Sequence, residues 1–150
     1  MTPTIRPAIA ADTVALAAIA GETLFPADML APMIAPFLRA GTALWLTALR
    51  DGAPCGFAFA EPEALTDGTW NLRAIAALPS GQGTGRALLT AVEEALRAKG
   101  ARIVVIDTTQ TDDQAAARRL YASAGYAQVG HIADFFADGE DRMTFAKRLS

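Results

Sequence analysis

Three glycines at alternate positions, Gly81, Gly83 and Gly85, run directly into Arg86 and an apolar helical pattern. Glycines so spaced let backbone amides approach a ligand closely, and the helix that follows adds unpaired N–H groups and the positive end of its dipole. In physical terms that is a cradle for a pyrophosphate. Arg86 adds a cation in the first turn, where helix propensity alone favours an acid. An ordinary glycine-rich turn is the reading without chemistry. The rival functional reading is a dinucleotide fold, because Asp107 closes the next strand about where a ribose-binding acid belongs. Two facts weigh against it. The third glycine of G-x-G-x-x-G falls on Arg86, and about seventy residues precede the crossover, leaving too little chain for a doubly wound sheet.

Other chemistries are removed by composition. The chain has 150 residues, 52% hydrophobic and 19% charged, with one cysteine, Cys55, and one histidine, His131. A disulfide scaffold and a Cys/His zinc cluster are thereby excluded, and no metal site is expected. No G-x-S-x-G elbow exists to partner His131 as a hydrolase triad. The formal charge of -3 argues against a nucleic-acid module, which needs a basic face. Ala18-Ile19-Ala20 has the small-x-small look of a signal-peptidase site. Asp12 and Thr13 interrupt the apolar stretch before it, which leaves about seven apolar residues, the bottom of the usual range. No run reaches the roughly 18 apolar residues of a membrane span. The expectation is a cytoplasmic protein with no membrane partner.

The elements that must hold the glycine loop follow from periodicity and turn signals. Thr4 to Ala8 is a short strand, and Asp12 reads as N-cap of a helix to about Ala20. Asp28 to Ala40 is helical up to Gly41, with Pro32 and Pro36 breaking or bending it. Leu44 to Leu49 and Cys55 to Ala60 are strands around the turn Asp51-Gly52. Thr69 to Leu78 is a strand, Gly81 to Lys99 a loop and helix with the stripe Leu88, Val92, Ala95 and Leu96, and Gly100 a stop. Arg102 to Ile106 is apolar enough to be buried on both faces. Asp113 to Ala124 is a helix ended by Gly125, and Tyr126 to Ala133 and Arg142 to Lys147 are two last strands around Asp138-Gly139. No repeat or linker interrupts this order, so residues 1–150 read as one α+β domain with one parallel crossover, Thr69 to Ile106.

That order, with its motifs, resembles the GNAT-type N-acetyltransferase superfamily, and the resemblance covers nearly the whole chain. Ile5-Arg6-Pro7 followed by Ala11-Asp12 resembles the family's first strand and helix. Asn71 to Leu89 (NLRAIAALPSGQGTGRALL) is similar to its acetyl-CoA signature. Leu120 to Gly130 (LYASAGYAQVG) looks like the second signature, a tyrosine on the fourth helix before Gly125-Tyr126. The end of the chain resembles a subgroup closing in Asp-aromatic-aromatic-x-x-Gly-x-Asp. The fold so implied is an α/β-α sandwich: a mixed, mostly antiparallel sheet of about seven strands flanked by about four helices. There are three departures. Ser80 stands where the signature has Gln or Arg, the loop before Gly81 is about two residues short, and Gln114 replaces the asparagine that touches the pantetheine arm in the family.

The resemblance implies direct transfer of an acetyl group from acetyl-CoA to an amine acceptor in a ternary complex. It implies a cofactor site built from Ala76, Ala77, Leu78, Gly81, Gln82, Gly83, Thr84, Gly85, Arg86 and Gln114. A sheet splayed between the strands ending at Leu78 and Asp107 would free the backbone of Ala76 and Ala77. Tyr121 is the expected donor to the departing thiolate, although its stripe with Ala117, Leu120 and Ala124 could equally be plain packing. The base is open: the strand Asn71 to Ala74 has no carboxylate, and Asp107, Glu61, Glu63, Glu22 and His131 remain, with Asp107 placed first. Phe135, Phe136 and Asp134 lead toward the acceptor region, where aromatics would pack against the helices. Cys55 reads as an inert small hydrophobe. A homodimer is compatible with the family. The short loop and missing base leave a second reading, an acyl-CoA-binding sensor without turnover.

Overall fold

Asp51 and Gly52 both take positive φ, 53° and 79°, which matches the right-handed twist of the strands they join. They connect β2 (Leu44–Arg50) to β3 (Ala53–Pro62). The computed structural model describes residues 2–150. The other strands are β1 (Thr4–Pro7), β4 (Thr69–Ala77), β5 (Ile103–Thr108), β6 (Ala127–Ala137) and β7 (Glu140–Arg148). The helices are α1 (Thr13–Thr23), α2 (Leu30–Ala40), α3 (Thr84–Ala98) and α4 (Ala115–Ser123). The strands form one sheet in the order β1-β2-β3-β4-β5-β7-β6. Among the described residues β4 and β5 pair in parallel and all other neighbours antiparallel. The mixed, mostly antiparallel α+β sandwich read from the sequence is the architecture observed.

Two cores lie on opposite faces of the sheet. Leu88, Leu89, Val92 and Leu96 of α3 pack on Leu46, Ala58, Leu72, Val104 and Ile106. Leu16, Ile19, Leu30 and Ile34 of α1 and α2 pack on Trp45, Phe57, Phe59, Ala74 and Ala76. Trp45 stacks on Phe59 at 4.5 Å between centroids, so the second face is filled by rings opposite small alanines. The stripe read for α3 is therefore its buried face, with Ala95 half-buried beside it.

Local departures have local causes. Asp12 holds the N-cap position of α1 as read, but its side chain makes no capping bond to that helix. It ends a 3-10 turn, Ala10–Asp12, and its carboxylate accepts from Arg6 Nη1 and Nη2 at 2.7 and 3.0 Å, Ile9 N at 3.0 Å and Thr47 Oγ1 at 2.9 Å. A bidentate guanidinium pair outweighs one capping bond, and it draws the carboxyl pKa down to about 2 against the opposing effect of burial. Pro36 lies inside α2 without ending it, and the segment expected as one helix starts with a separate 3-10 turn, Ala27–Met29. The last hairpin is longer than its alternation suggests: β6 runs through Phe135 and Phe136 with an irregularity between Ile132 and Ala137, where Asp134 has φ 55°. Those two rings are half exposed and meet each other edge-on at 5.0 Å, and Phe136 borders a cavity with Thr23, Leu24 and Phe25.

Candidate active site

Arg73 is the residue around which the site opens. Ala60 pairs with Leu72 and Phe59 with Ala74, so Arg73 is an extra residue bulged out of β4. A bulge bends its strand and sharpens the twist. Pairing between β4 and β5 stops at Leu72↔Ile106, the same point, although β4 runs on to Ala77 and β5 to Thr108. The strands diverge beyond it, and the β5-facing edge of β4 from Arg73 to Ala77 has no strand partner. This is the splay that the sequence resemblance implied, with the bulge as its cause.

On the α3/α4 face the divergence opens a cleft of about 390 Å³. It is lined by Ile75, Ala76, Ala77, Ser80, Gly81, Gly83, Gly85 and Arg86, and from α4 by Ala116, Ala117, Leu120 and Tyr121. Gly83 has φ 81° and caps α3, which starts at Thr84 rather than at the loop's first glycine. The first backbone bond of this end runs from Ala87 N to Gly83 O at 3.0 Å, which leaves the amides of Thr84, Gly85 and Arg86 without an intrahelical acceptor. A Cβ at Gly81 or Gly83 would meet nothing within 4 Å: the space beside both is open. At Gly85, inside the helix, a Cβ would come 3.3 Å from Leu120 Cδ2, so glycine here sets the approach of α3 to α4. Arg86 donates to Ser123 Oγ on α4 and so bridges the two helices beside the cleft.

Tyr121 is 4% exposed, packed against Tyr126 and Phe145, and its hydroxyl has no hydrogen-bond partner among the described residues. Burial pushes its pKa above the ordinary tyrosine value, so the group stays protonated at any working pH. A buried donor turned to a cleft without a partner is what a developing anion needs. Glu93 helps to hold α4 in place: it accepts from Tyr126 Oη and from Lys147 Nζ, each at 2.9 Å, and Lys147 also donates to Ala124 O at 2.8 Å.

Asp107 stands on the opposite face. Val104 and Ile106 point to α3, and strand alternation sends Asp107 the other way. It borders two further cavities of about 340 and 260 Å³, and Thr144 Oγ1 donates to its Oδ1 at 2.7 Å. Gln114 lines the larger of these two cavities with Thr23, Leu24 and Phe25 of the α1–α2 connection, not the α3/α4 cleft. Leu78 packs toward the α1/α2 core, and Thr84 turns its hydroxyl to Arg50 Nη2 at 3.0 Å. Neither side chain lines the cleft, and Gln82 is exposed beside it. Of the other acids weighed as a base, Glu61 binds Arg73 Nε at 2.9 Å, Glu63 lies 3.8 Å from Arg73 Nη2, and Glu22 is exposed on α1. His131 is an exposed β6 residue paired with Asp141 at 2.6 Å. Among the described residues no group of three or more His, Cys, Asp or Glu side chains could hold a metal.

Sequence reasoning missed Arg73 as a bulge and Gly56 as a spacer. A Cβ on Gly56 would fall 2.6 Å from Ala76 O and 3.1 Å from Leu88 and Thr84. That glycine lets the first turn of α3 press onto β3 beside the cleft. A glycine inside a strand pattern is the signal that could have flagged it.

The site thus joins a splayed sheet, a glycine-capped helix at the opening and a buried tyrosine from the last helix. The acetyltransferase (GNAT) family model matches residues 14–126, about three quarters of the chain, and the protein belongs to that family. Its fold is similar to that of a Desulfovibrio desulfuricans protein assigned to the GNAT family of acetyltransferases, at TM-score 0.90 and 25% identity, covering 99% of each chain. It is also similar to a Salmonella typhimurium protein solved with its cofactor acetyl-CoA, at TM-score 0.82 and 21% identity, covering 100% of this chain and 95% of that one. A ribosomal-protein-alanine N-acetyltransferase from Brucella melitensis matches at TM-score 0.81 and 24% identity, covering 97% and 99%. No curated protein matches the chain in sequence. No helix among the described residues is long and apolar enough to cross a membrane.

Proposed function

We propose that the protein transfers the acetyl group of acetyl-CoA to a primary amine by direct attack, with the α3/α4 cleft as the cofactor site. One observation carries this reading: the partnerless Tyr121 hydroxyl shares a cleft with the free amides at the start of α3 and the unpaired edge of β4. The residues fit the cofactor. The amides of Thr84, Gly85 and Arg86, with the Arg86 cation, suit a pyrophosphate. The backbone of Ile75 and Ala77, which points away from β3, offers hydrogen bonds to an amide-bearing arm, and Ala116, Ala117 and Leu120 are small or apolar enough to lie along it.

Acetyl-CoA, when bound, supplies an acetyl group activated as a thioester. The new bond joins the amine nitrogen to the acetyl carbon, the carbon–sulfur bond breaks, and the electron pair leaves with sulfur. Tyr121 donates a hydrogen bond to the sulfur as its charge develops. Asp107, on the other face of the opening, receives the proton the amine loses, directly or through water, with Thr144 fixing the carboxylate. Holding acceptor and donor on opposite sides of one gap turns a bimolecular step into an oriented one.

The test is to incubate the protein with acetyl-CoA and a panel of amines while detecting free thiol, alongside calorimetry with acetyl-CoA and with NAD. Thiol release that depends on an amine supports transfer. Tight acetyl-CoA binding with no amine-dependent thiol supports the sensor, and preference for NAD overturns both.

A further inference from the structure

We propose that the cavity of about 260 Å³ between β4, β5 and the β6–β7 hairpin is a carboxylate subsite, so that the acceptor is an amino acid or a close relative and not a simple amine. This rests on the acetyl-transfer reading, since Asp107 borders this cavity and the neighbouring one where the amine would lie.

Arg142 is the central observation. Its Nε is buried with no acceptor in reach, and none of its guanidinium nitrogens makes a hydrogen bond within the described residues. The nearest carboxylate oxygen, Asp107 Oδ1, is 3.7 Å from Nε and already accepts from Thr144. The guanidinium carbon lies over the Phe135 ring, 4.5 Å from its centroid. The side chain is 31% exposed and its one charged neighbour is Asp107, so the terminal nitrogens remain open to an oxyanion entering the cavity while Nε is buried without a hydrogen bond. Arg73 faces the same cavity: its Nε is bound to Glu61, while its terminal nitrogens have no hydrogen bond, Glu63 lying 3.8 Å away. Two guanidinium groups with unused forks therefore meet in a space below the roughly 300–1,000 Å³ of a whole-ligand site. Phe136 lines both this cavity and the 340 Å³ cavity with Leu24 and Phe25, which offers an apolar surface to the rest of the acceptor.

The experiment compares free L-amino acids with their α-amides, which keep the amine and side chain and lose the charge. With acetyl-CoA and thiol detection, the acids should show KM values about tenfold or more below those of the matched amides. Arg142→Met, which keeps the apolar stem over Phe135, should bring that ratio close to one, and Arg142→Lys should restore part of it. Calorimetry with N-acetyl amino acids and their amides repeats the comparison without turnover. Acids that bind better than amides but release no thiol would uphold the subsite and sink the transfer reading. Amides turned over as well as acids would uphold transfer and overturn the subsite, as would acids that neither bind nor react.

Discussion

Tyr121 combines two properties that oppose each other in a simple acid and agree in a hydrogen-bond donor. Reference pKa values make full proton transfer from a tyrosine to a thiolate uphill by about 2 kcal/mol, and burial raises the Tyr121 value further. In the proposed transfer the hydroxyl would therefore act by stabilising the sulfur as charge appears on it. Tyr121→Phe should lower kcat about ten- to a thousand-fold and leave the KM for acetyl-CoA nearly unchanged. Because the hydroxyl has no partner to lose, the thermal midpoint of the variant should hold or rise slightly. Normal turnover on the true acceptor would reduce Tyr121 to a packing residue. Gly83 belongs to the same scale. Its φ of 81° is strained for any L side chain while the space around it is open. Gly83→Val should weaken acetyl-CoA binding by at least about tenfold in calorimetry with an unchanged far-UV spectrum, and unchanged affinity would make the loop a plain turn.

The element that matters most is the β4–loop–α3 unit. The loop is about two residues shorter than the family's signature, one of the two grounds for the sensor reading. In the structure Gly83 still caps α3, and three amides still face outward from its first turn. The short connection is accommodated at the other side of α3, where Gly56 lets Thr84 and Leu88 approach β3 closely and Arg50 binds the Thr84 hydroxyl. Exchanging Ser80 for Asp-Tyr-Gln, which restores the usual length, should therefore bring no gain in acetyl-CoA affinity by calorimetry. A clear tightening would show that the short loop does hold the amides out of place.

At the scale of the whole molecule, the Arg6–Asp12–Thr47 cluster ties β1, the start of α1 and β2 together at the sheet's first edge. The folded pKa of Asp12, about 2, lies below the unfolded value near 3.9, so the cluster's stabilisation is present above pH ~4 and is lost as pH falls through 2. Asp12→Asn should melt roughly 3–8 °C below the wild type at neutral pH, and the gap should close as pH approaches 2. A gap that stays constant down to pH 2 would assign the loss to packing and not to charge.

How much of this was legible in the sequence depends on the range of each cause. Glycine spacing, turn dipeptides and the period of apolar residues are local, so the chain by itself determined the order of elements, the parallel crossover and the glycine-rich entry to α3. Its motifs pointed to Tyr121 and to the family. The bulge at Arg73 was not legible, because it is a count of residues on one strand against those on its neighbour. Asp12 stands at the N-cap read for it, but the sequence could not show that its carboxylate goes to Arg6 and Thr47, which two strands supply. Gln114 was expected at the pantetheine arm and Asp107 as a base, and strand alternation with the turn into α4 places both at a cavity outside the α3/α4 cleft. Tertiary structure alone decided which donors were left without partners. Satisfaction of a hydrogen bond belongs to everything that packs around a group, and for Tyr121 and Arg142 those surroundings come from segments far apart in the chain.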